Sequence, residues 1–263
     1  MQDDIINAVM QEVQKRMGAT PSSAKASVAS CISAESLTEF VGVCQHGETL
    51  GLVIANLDQS IHEIMGFNKK YRSLGIIGAR TGAGPQIMAA DEAIKATNTE
   101  ILKVELPRDT KGGAGHGSLI VFGAEDVSDA RRAVEVTLDN VPKFFGDVYA
   151  NDTGHLELQY TARASKCLST VFGAPEGKAF GLILGAPAAI GMLMIDAAVK
   201  SADVDVLGYG SPGHGTSFSN EVFITVSGDS GAVRQAVIAG RETGKPLLSA
   251  WGQPCDSAAT PYI

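Results

Sequence analysis

The chain is 263 residues long and carries a formal net charge of −8, with 44% hydrophobic and 19% charged residues. This composition is typical of a globular protein, and the length is sufficient for two domains of medium size. The negative charge argues against binding to nucleic acid, because neutralising phosphates requires clustered lysine and arginine.

No segment of the sequence predicts export or a membrane span. The start, Met1-Gln2-Asp3-Asp4, is acidic where a secretory signal would be basic. The longest uncharged run, residues 180–195, is shorter than the ~20 residues that a membrane span requires. We therefore expect a cytoplasmic protein. No cofactor or metal is predicted, because no CxxC pair occurs among the cysteines, Cys31, Cys44, Cys167 and Cys255.

The first 36 residues are predicted to form an N-terminal arm. Over residues 2–17 apolar side chains recur at steps of three and four, which indicates a short amphipathic helix ending at Gly18. Residues 19–36 are rich in Ala and Ser and are typical of a flexible tether. A helix this short is marginal in water unless its apolar stripe docks. It docks on another protein, or it folds back on its own domain, or it is disordered.

Beyond residue 36 the sequence repeats itself. Residues 91–107 align without a gap on residues 196–212, and residues 47–66 match residues 154–173 in spacing. The identical pairs in the first alignment include Asp91/Asp196, Ala93/Ala198, Lys95/Lys200, Leu102/Leu207 and Pro107/Pro212. A duplication explains both matches, so we predict a first domain at 37–150 and a second at 151–263.

Each half predicts the same order of elements. A strand at 74–78 or 180–185 precedes a helix, and a second strand ends near Pro107 or Pro212. A glycine-rich loop, a strand at 118–122 or 221–226 and a final helix follow. The first helix is expected to bury Ile87, Ala90 and Ile94 in one half and Met192, Ile195 and Val199 in the other. The final helix is expected to be capped by Ser128 or Ser230 and, in the first half, to bury Val127, Ala130, Val134, Leu138 and Val141.

Short loops between strands, with helices on one face, predict an α+β fold in which each domain is an antiparallel sheet flanked by helices.

The segment 78–84, Gly-Ala-Arg-Thr-Gly-Ala-Gly, follows a strand and precedes a helix, as a phosphate-binding loop would. Its spacing fits neither GxGxxG nor GxxxxGK[ST]. A corner in which glycines relieve crowding is the simpler interpretation, and a nucleotide-dependent enzyme is kept as an alternative.

Two loops between equivalent strands each carry Gly-His-Gly, as Gly115-His116-Gly117 and Gly213-His214-Gly215. A catalytic histidine needs a carboxylate or nucleophile within reach, and none stands in the same register in both copies. Glycines instead let backbone N–H groups approach a symmetry axis and line an opening. Ordinary glycine hairpins with exposed histidines are the alternative.

Four stretches of the second half resemble the signature of the bacterial microcompartment (BMC) shell domain. They are Phe180-Gly181-Leu182-Ile183, residues 194–202 (MIDAAVKSA), Val206-Leu207-Gly208-Tyr209 and residues 223–233 (FITVSGDSGAV). The first half carries a looser copy, including residues 91–96. With two copies per chain and a long arm, the sequence is similar, over residues 36–254, to the tandem shell proteins of propanediol-utilisation compartments.

The resemblance implies trimers of two-domain chains that mimic a hexagonal tile, and tiles that join other shell proteins in a flat sheet around metabolic enzymes. It implies circularly permuted domains. It also assigns Lys95 and Lys200, with Asp91 and Asp196, to the tile edge, and the pore turn to the two Gly-His-Gly segments, which carry His where the family has Ser.

The expected function is therefore structural and not enzymatic. Pores lined by His116, His214, Asn220 and Glu221 would pass small polyols such as glycerol or 1,2-propanediol, and the N-terminal helix would recruit encapsulated enzymes. A duplicated ferredoxin-like sensor that binds a small molecule tightly is the alternative from another class.

Overall fold

The computed structural model describes residues 33–107, 117–211 and 220–263. The predicted N-terminal helix lies outside these residues. By compactness the chain divides into two units, Met1–Ser36 and Leu37–Ile263. The second unit contains both halves of the duplication.

The first half builds a five-stranded sheet. Its strands are β1 (Phe40–Cys44), β2 (Thr49–Ile54), β3 (Ser73–Ala79), β4 (Glu100–Glu105) and β5 (Ser118–Ala124). They lie in the order β1-β2-β3-β5-β4, and every neighbouring pair is antiparallel.

The second half builds an antiparallel sheet of the same order. Its strands are β6 (Val148–Asn151), β7 (Gly154–Thr161), β8 (Ala179–Ala186), β9 (Asp205–Gly210) and β10 (Val222–Gly228). They follow the order β6-β7-β8-β10-β9, and a short strand, β11 (Asp256–Ser257), adds to the outer edge of β6. The predicted boundary at 150/151 falls within β6, which pairs in the second sheet. The predicted α+β fold is confirmed.

The helices also correspond between the halves. They are α1 (Gln59–Met65), α2 (Gly84–Ala96) and α3 (Val127–Phe144) in the first half, and α4 (Lys166–Phe172), α5 (Ala188–Ser201) and α6 (Ser230–Leu248) in the second. In each half the two long helices pack on each other, with α3 lying across β1 to β3 and α6 across β7 and β8. Within the described ranges no helix is both long enough and apolar enough to cross a membrane.

In both halves a glycine of the sheet faces a valine of the long final helix, and this contact sets the distance between helix and sheet. A Cβ on Gly75 of β3 would lie 2.9 Å from a methyl of Val134 on α3, and one on Gly181 of β8 would lie 2.8 Å from a methyl of Val237 on α6. Both distances are shorter than side-chain carbons tolerate, so only glycine permits this approach. The same contact in both sheets is independent support for the duplication.

The predicted faces and caps of several helices are wrong. On α5 the buried face is formed by Ile190, Met194 and Ala198, whereas Met192 and Val199 are exposed and Ile195 is only partly buried.

On α3, Ala130, Val134 and Val141 are buried and Leu138 is partly buried as expected, but Val127 is exposed. The N-cap residues of α3 and α6 are Asp126 and Asp229 in place of Ser128 and Ser230. An aspartate and a serine near a helix start are chemically equivalent as caps, so composition alone places the first turn only approximately.

The final residues are held on the second sheet by one buried carboxylate, Asp147. Its oxygens accept hydrogen bonds from Tyr149 Oη at 3.0 Å, from the backbone N of Tyr262 at 2.8 Å and from the backbone N of Ile263 at 3.0 Å. Arg241 Nη1 lies 2.9 Å from the same carboxylate. Asp147 therefore ties α6, β6 and residues 262–263 together.

Replacement of Asp147 by alanine is expected to destabilise the protein by about 3–5 kcal/mol, because it removes the acceptor of the Tyr262 and Ile263 backbone N–H groups and one of the two carboxylates that pair with Arg241. Urea denaturation followed by circular dichroism measures this. The matched control is Asp139→Ala, at an exposed position on α3, which is expected to shift the midpoint little. Equal midpoints for the two variants would contradict the role of Asp147.

Candidate functional site

The two domains of one chain meet where α2 of the first packs against α4 and β7 of the second. At this contact the fully buried Asp91 of α2 accepts hydrogen bonds from the backbone N of Ser165 at 3.0 Å and of Leu168 at 3.2 Å, and one from the Ser165 hydroxyl. These donors belong to the start of α4, where backbone N–H groups have no partner within the helix. Asp91 thus caps a helix of the other domain.

Lys95 completes this contact. Its Nζ lies 2.9 Å from Asp91 Oδ2, 2.8 Å from Glu92 Oε1 and 3.3 Å from Thr161 Oγ1 on β7. The predicted pair Asp91 and Lys95 therefore lies at the junction of the two domains of one chain.

The duplicated pair Asp196 and Lys200 has a different environment. The two side chains are joined at 2.7 Å, but they are 50% and 71% exposed. The same difference holds for the apolar residues one turn earlier. Ile87 and Met88 are buried, whereas Met192 and Leu193, their counterparts when the alignment of 91–107 with 196–212 is extended upstream, are about half exposed. The described chain thus leaves the second copy of the contact surface uncovered.

The complementary surface of the first domain is also uncovered. Ile61 and Ile64 on α1 are exposed, whereas of their counterparts on α4 Leu168 is buried and Val171 is partly buried. Each chain therefore forms one such contact between its own domains. It exposes both surfaces of a second contact, α5 on the second domain and α1 on the first.

A cavity of about 270 Å³ lies beside the domain contact. The residues around it are mostly apolar and come from both domains and from the final segment, among them Ile87, Leu106, Phe145, Phe172, Leu182, Leu184, Phe223 and Ala258. Three ionisable side chains, His155, Glu157 and Glu221, complete the lining. A mostly apolar cavity with a few converging polar groups is the usual form of a small-molecule site.

Two of the three ionisable residues of the cavity are presented by β7, and the third, Glu221, directly precedes β10. Alternate residues of a strand face opposite sides, so His155, Glu157 and Gln159 share one face while Leu156 and Leu158 enter the core of the second sheet. Gln159 is fixed by its Nε2, which donates to the Phe144 carbonyl at 3.0 Å, and by Tyr262 Oη, which donates to its Oε1 at 3.1 Å.

Two carboxyl groups face the same small space. Burial, and then the negative charge of Glu221, raise the pKa of Glu157 to about 8, so Glu157 holds its proton at neutral pH. His155 Nε2 lies 3.5 Å from Glu221 Oε2. The cavity is therefore lined by the protonated carboxyl group of Glu157 and by the carboxylate of Glu221, which lies beside an imidazole.

Glu157 also bears on the nucleotide alternative. Its carboxyl packs against Gly84, the first residue of α2, so closely that a Cβ at that position would overlap Glu157 Oε1. A phosphate bound by the loop 78–84 would need this helix start, and Glu157 already occupies it. The geometry disfavours a nucleotide site here.

The predicted pore residues fall in different places. Gly115, His116, Gly213, His214 and Gly215 lie outside the described residues. Gly117 donates its N–H to the Pro107 carbonyl at 2.8 Å, and a Cβ there would overlap the carbonyl oxygen of Ala79. It therefore serves a close backbone contact next to β3.

The last two predicted residues precede β10. Asn220 is exposed, and its Oδ1 accepts from the N of Ala188 at the start of α5, at 3.2 Å. Glu221 lines the cavity. The sequence reasoning missed His155 and Glu157, although an alternating polar stripe in an otherwise apolar strand was the signal for them.

The model of the BMC domain matches residues 73–152 and 179–252. The chain belongs to the bacterial microcompartment shell protein family. It is 61% identical to the shell protein PduB of Citrobacter freundii over 228 residues, covering 87% of this chain and 84% of that one. It is 57% identical to PduB of Limosilactobacillus reuteri over 221 residues, covering 84% and 93%.

The solved structures agree. A crystal structure of a trimeric bacterial microcompartment shell protein PduB matches with a TM-score of 0.83 and 56% identity, covering 86% of this chain and all of that one. The prediction of a tandem BMC shell protein that is structural and not an enzyme is confirmed.

Ionisation of Glu157 links the stability of the protein to pH. The unfolded chain ionises this residue near its ordinary pKa of 4.5, whereas the folded chain retains the proton up to about pH 8. The stability contributed by protonated Glu157 is therefore complete below pH 4.5 and is lost as the pH rises towards 8. Glu157→Gln is expected to gain melting temperature relative to the wild type from about pH 5 to about pH 9.

Thermal melts across this range measure the difference. Glu176→Gln is the control, since Glu176 is exposed and pairs with Lys166 only at 3.9 Å. A difference between Glu157→Gln and the wild type that stays flat with pH would contradict the buried, protonated state.

Proposed function

We propose that this chain forms a trimer that acts as a pseudohexagonal tile of the compartment wall and passes small neutral polyols. Within the trimer α5 of one copy packs on α1 and β2 of the next, repeating the contact that α2 makes with α4 and β7 inside one chain. The observation behind this proposal is an exposed surface on α5, formed by Met192 and Leu193 beside the pair Asp196 and Lys200. The corresponding residues of the first copy are covered by the second domain of the same chain.

Closed symmetry follows from this arrangement. Each chain exposes one copy of each half of the contact, so chains join head to tail and the ring closes when every half is satisfied. Three chains supply six domains, as a hexagonal tile requires. The matched structure of PduB, at 56% identity, is trimeric and supports the same number.

Charging the apolar surface of α5 is expected to break the trimer. Met192→Glu places a carboxylate at the centre of the proposed contact, where it would lose its hydration, and should give monomers with unchanged circular dichroism. Light scattering after gel filtration measures the mass. Val127→Glu, at a similarly exposed apolar residue on α3, is the control and should remain trimeric. A trimer that survives Met192→Glu would overturn this interface.

The cavity between the two domains is the conduit that we propose for polyols. Its apolar walls suit the carbon chain of a diol, and its carboxyl groups and imidazole suit the hydroxyls. A conduit must hold its solute weakly, since a tight site would retain what it should pass. Glycerol and 1,2-propanediol fit these requirements.

Obstruction of the cavity tests this role. Ala258 is exposed on the final segment and lines the cavity, while its backbone N donates to the Val148 carbonyl at 2.8 Å, so a larger side chain leaves that bond intact. Ala258→Trp should abolish the saturation-transfer NMR signal of 1,2-propanediol on the protein. Ala250→Trp, at another exposed alanine, should retain it. Equal signals from both variants would place diol binding elsewhere.

Three further assignments belong to the same proposal. By the same correspondence Lys200 would lie at the contact between two chains, as Lys95 lies at the junction of two domains, and its amine is proposed to extend from the rim of that contact to a neighbouring tile. The Gly-His-Gly loops are proposed to line openings of the tile. The arm, residues 1–36, is proposed to recruit enclosed enzymes through the amphipathic helix that its sequence predicts.

A further inference from the structure

The acidic lining of the cavity is not required by the shell fold. In the alignment of residues 47–66 with 154–173, Glu157 corresponds to Leu50 and Gln159 to Leu52. The first copy thus builds the same strand with leucines. Burying a carboxyl group beside a second one destabilises a protein, so its presence in one copy only indicates a role other than folding.

The two carboxyl groups differ in protonation. An ionised Glu157 would place a second negative charge beside Glu221 in a space lined mostly by apolar side chains, where water screens poorly. One proton on Glu157 and one charge on Glu221, next to His155, is the arrangement of lower energy. A hydrogen-bond donor and a charged acceptor then face the same cavity.

Among the residues that the structure describes, no lysine or arginine lines the cavity around Glu157. From β7 it is faced by His155 and Gln159, and from the final segment by the phenol of Tyr262. The start of α2 contributes the backbone of Gly84, and β8 contributes Leu182 and Leu184.

Resting on the proposed conduit, we propose that Glu157 and Glu221 together determine its selectivity. The carboxyl of Glu157 donates a hydrogen bond to one hydroxyl of a vicinal diol, and the carboxylate of Glu221 accepts one from the other hydroxyl. An anion of the same size is excluded, because it would bring a second negative charge next to Glu221. The cavity therefore admits neutral diols and small cations and rejects carboxylates.

Three probes of similar size and different charge test this selectivity. They are 1,2-propanediol, which is neutral, lactate, which is an anion, and 1-amino-2-propanol, which is a cation at pH 7. Saturation-transfer NMR on the full-length protein measures the relative affinity of each. For the wild type we expect lactate to bind at least ~10-fold more weakly than the diol, because like charges in contact are strongly unfavourable.

Replacing both carboxyl groups should remove the discrimination. In Glu157→Gln/Glu221→Gln the affinities for lactate and the diol are expected to become similar. The amine is expected to bind no more tightly than the diol. Glu221→Gln alone should give most of the gain in affinity for lactate relative to the diol. This single variant keeps the test valid if the double variant folds poorly. Glu176→Gln has the same change of net charge at an exposed site and should behave as the wild type.

The pH supplies a second readout. Between about pH 7 and pH 9 Glu157 loses its proton in the wild type, so binding of the diol should fall relative to that of the amine, and this change should be absent in Glu157→Gln. Equal binding of lactate and diol to the wild type, or ratios unchanged in the glutamine variants, would overturn the selectivity while leaving the conduit intact. Absence of diol binding to the wild type would overturn both.

Discussion

The capping of α4 by Asp91 is the interaction on which the rest of the structure depends. The carboxylate is fully buried, and it receives the N–H groups that begin a helix of the other domain, while Lys95 balances its charge. A buried carboxylate with this many donors has one well-defined geometry, since any displacement leaves charge or N–H groups unsatisfied. It therefore fixes the angle at which the two domains meet.

The proposed conduit and the proposed contact between chains both depend on that angle. The cavity exists because α2 is held against β7, with Gly84 close enough to contact the Glu157 carboxyl. The same contact, repeated by α5 towards a neighbouring chain, would generate the tile. A duplicated domain thus supplies both halves of its own assembly contact, and one chain uses one copy internally.

The two copies have diverged where the cavity forms. Leu50 and Glu157 occupy equivalent strand positions, and the first is exposed on the described chain whereas the second is buried beside another carboxyl group. A contact between chains built around Leu50 would be apolar throughout, whereas the contact within a chain encloses a mostly apolar cavity that carries carboxyl groups. Such a tile would have three conduits of this type, one for each chain.

The fold was predictable from the sequence to a large extent, because the periodicities of β3, α2 and β5 and of their counterparts are set by local burial. The face of α5 was not. Its sequence is apolar nearly all round, so 3.6-residue periodicity cannot distinguish Met192 from Met194. What separates them is whether the side chain meets its own sheet or faces outwards, and that is a tertiary property.

The residues of the candidate site also fall into those that the sequence indicated and those that it did not. Glu221 was singled out through its position after a loop, but His155 and Glu157 lie in a strand whose polar alternation has meaning only once the opposite domain is present. By itself the sequence determined the family, the duplication and the order of elements, since these depend on short-range pattern and on repeated residues. Only the tertiary structure decided which copy of a repeated surface is covered and where a cavity opens, because both depend on contacts between segments far apart in the chain.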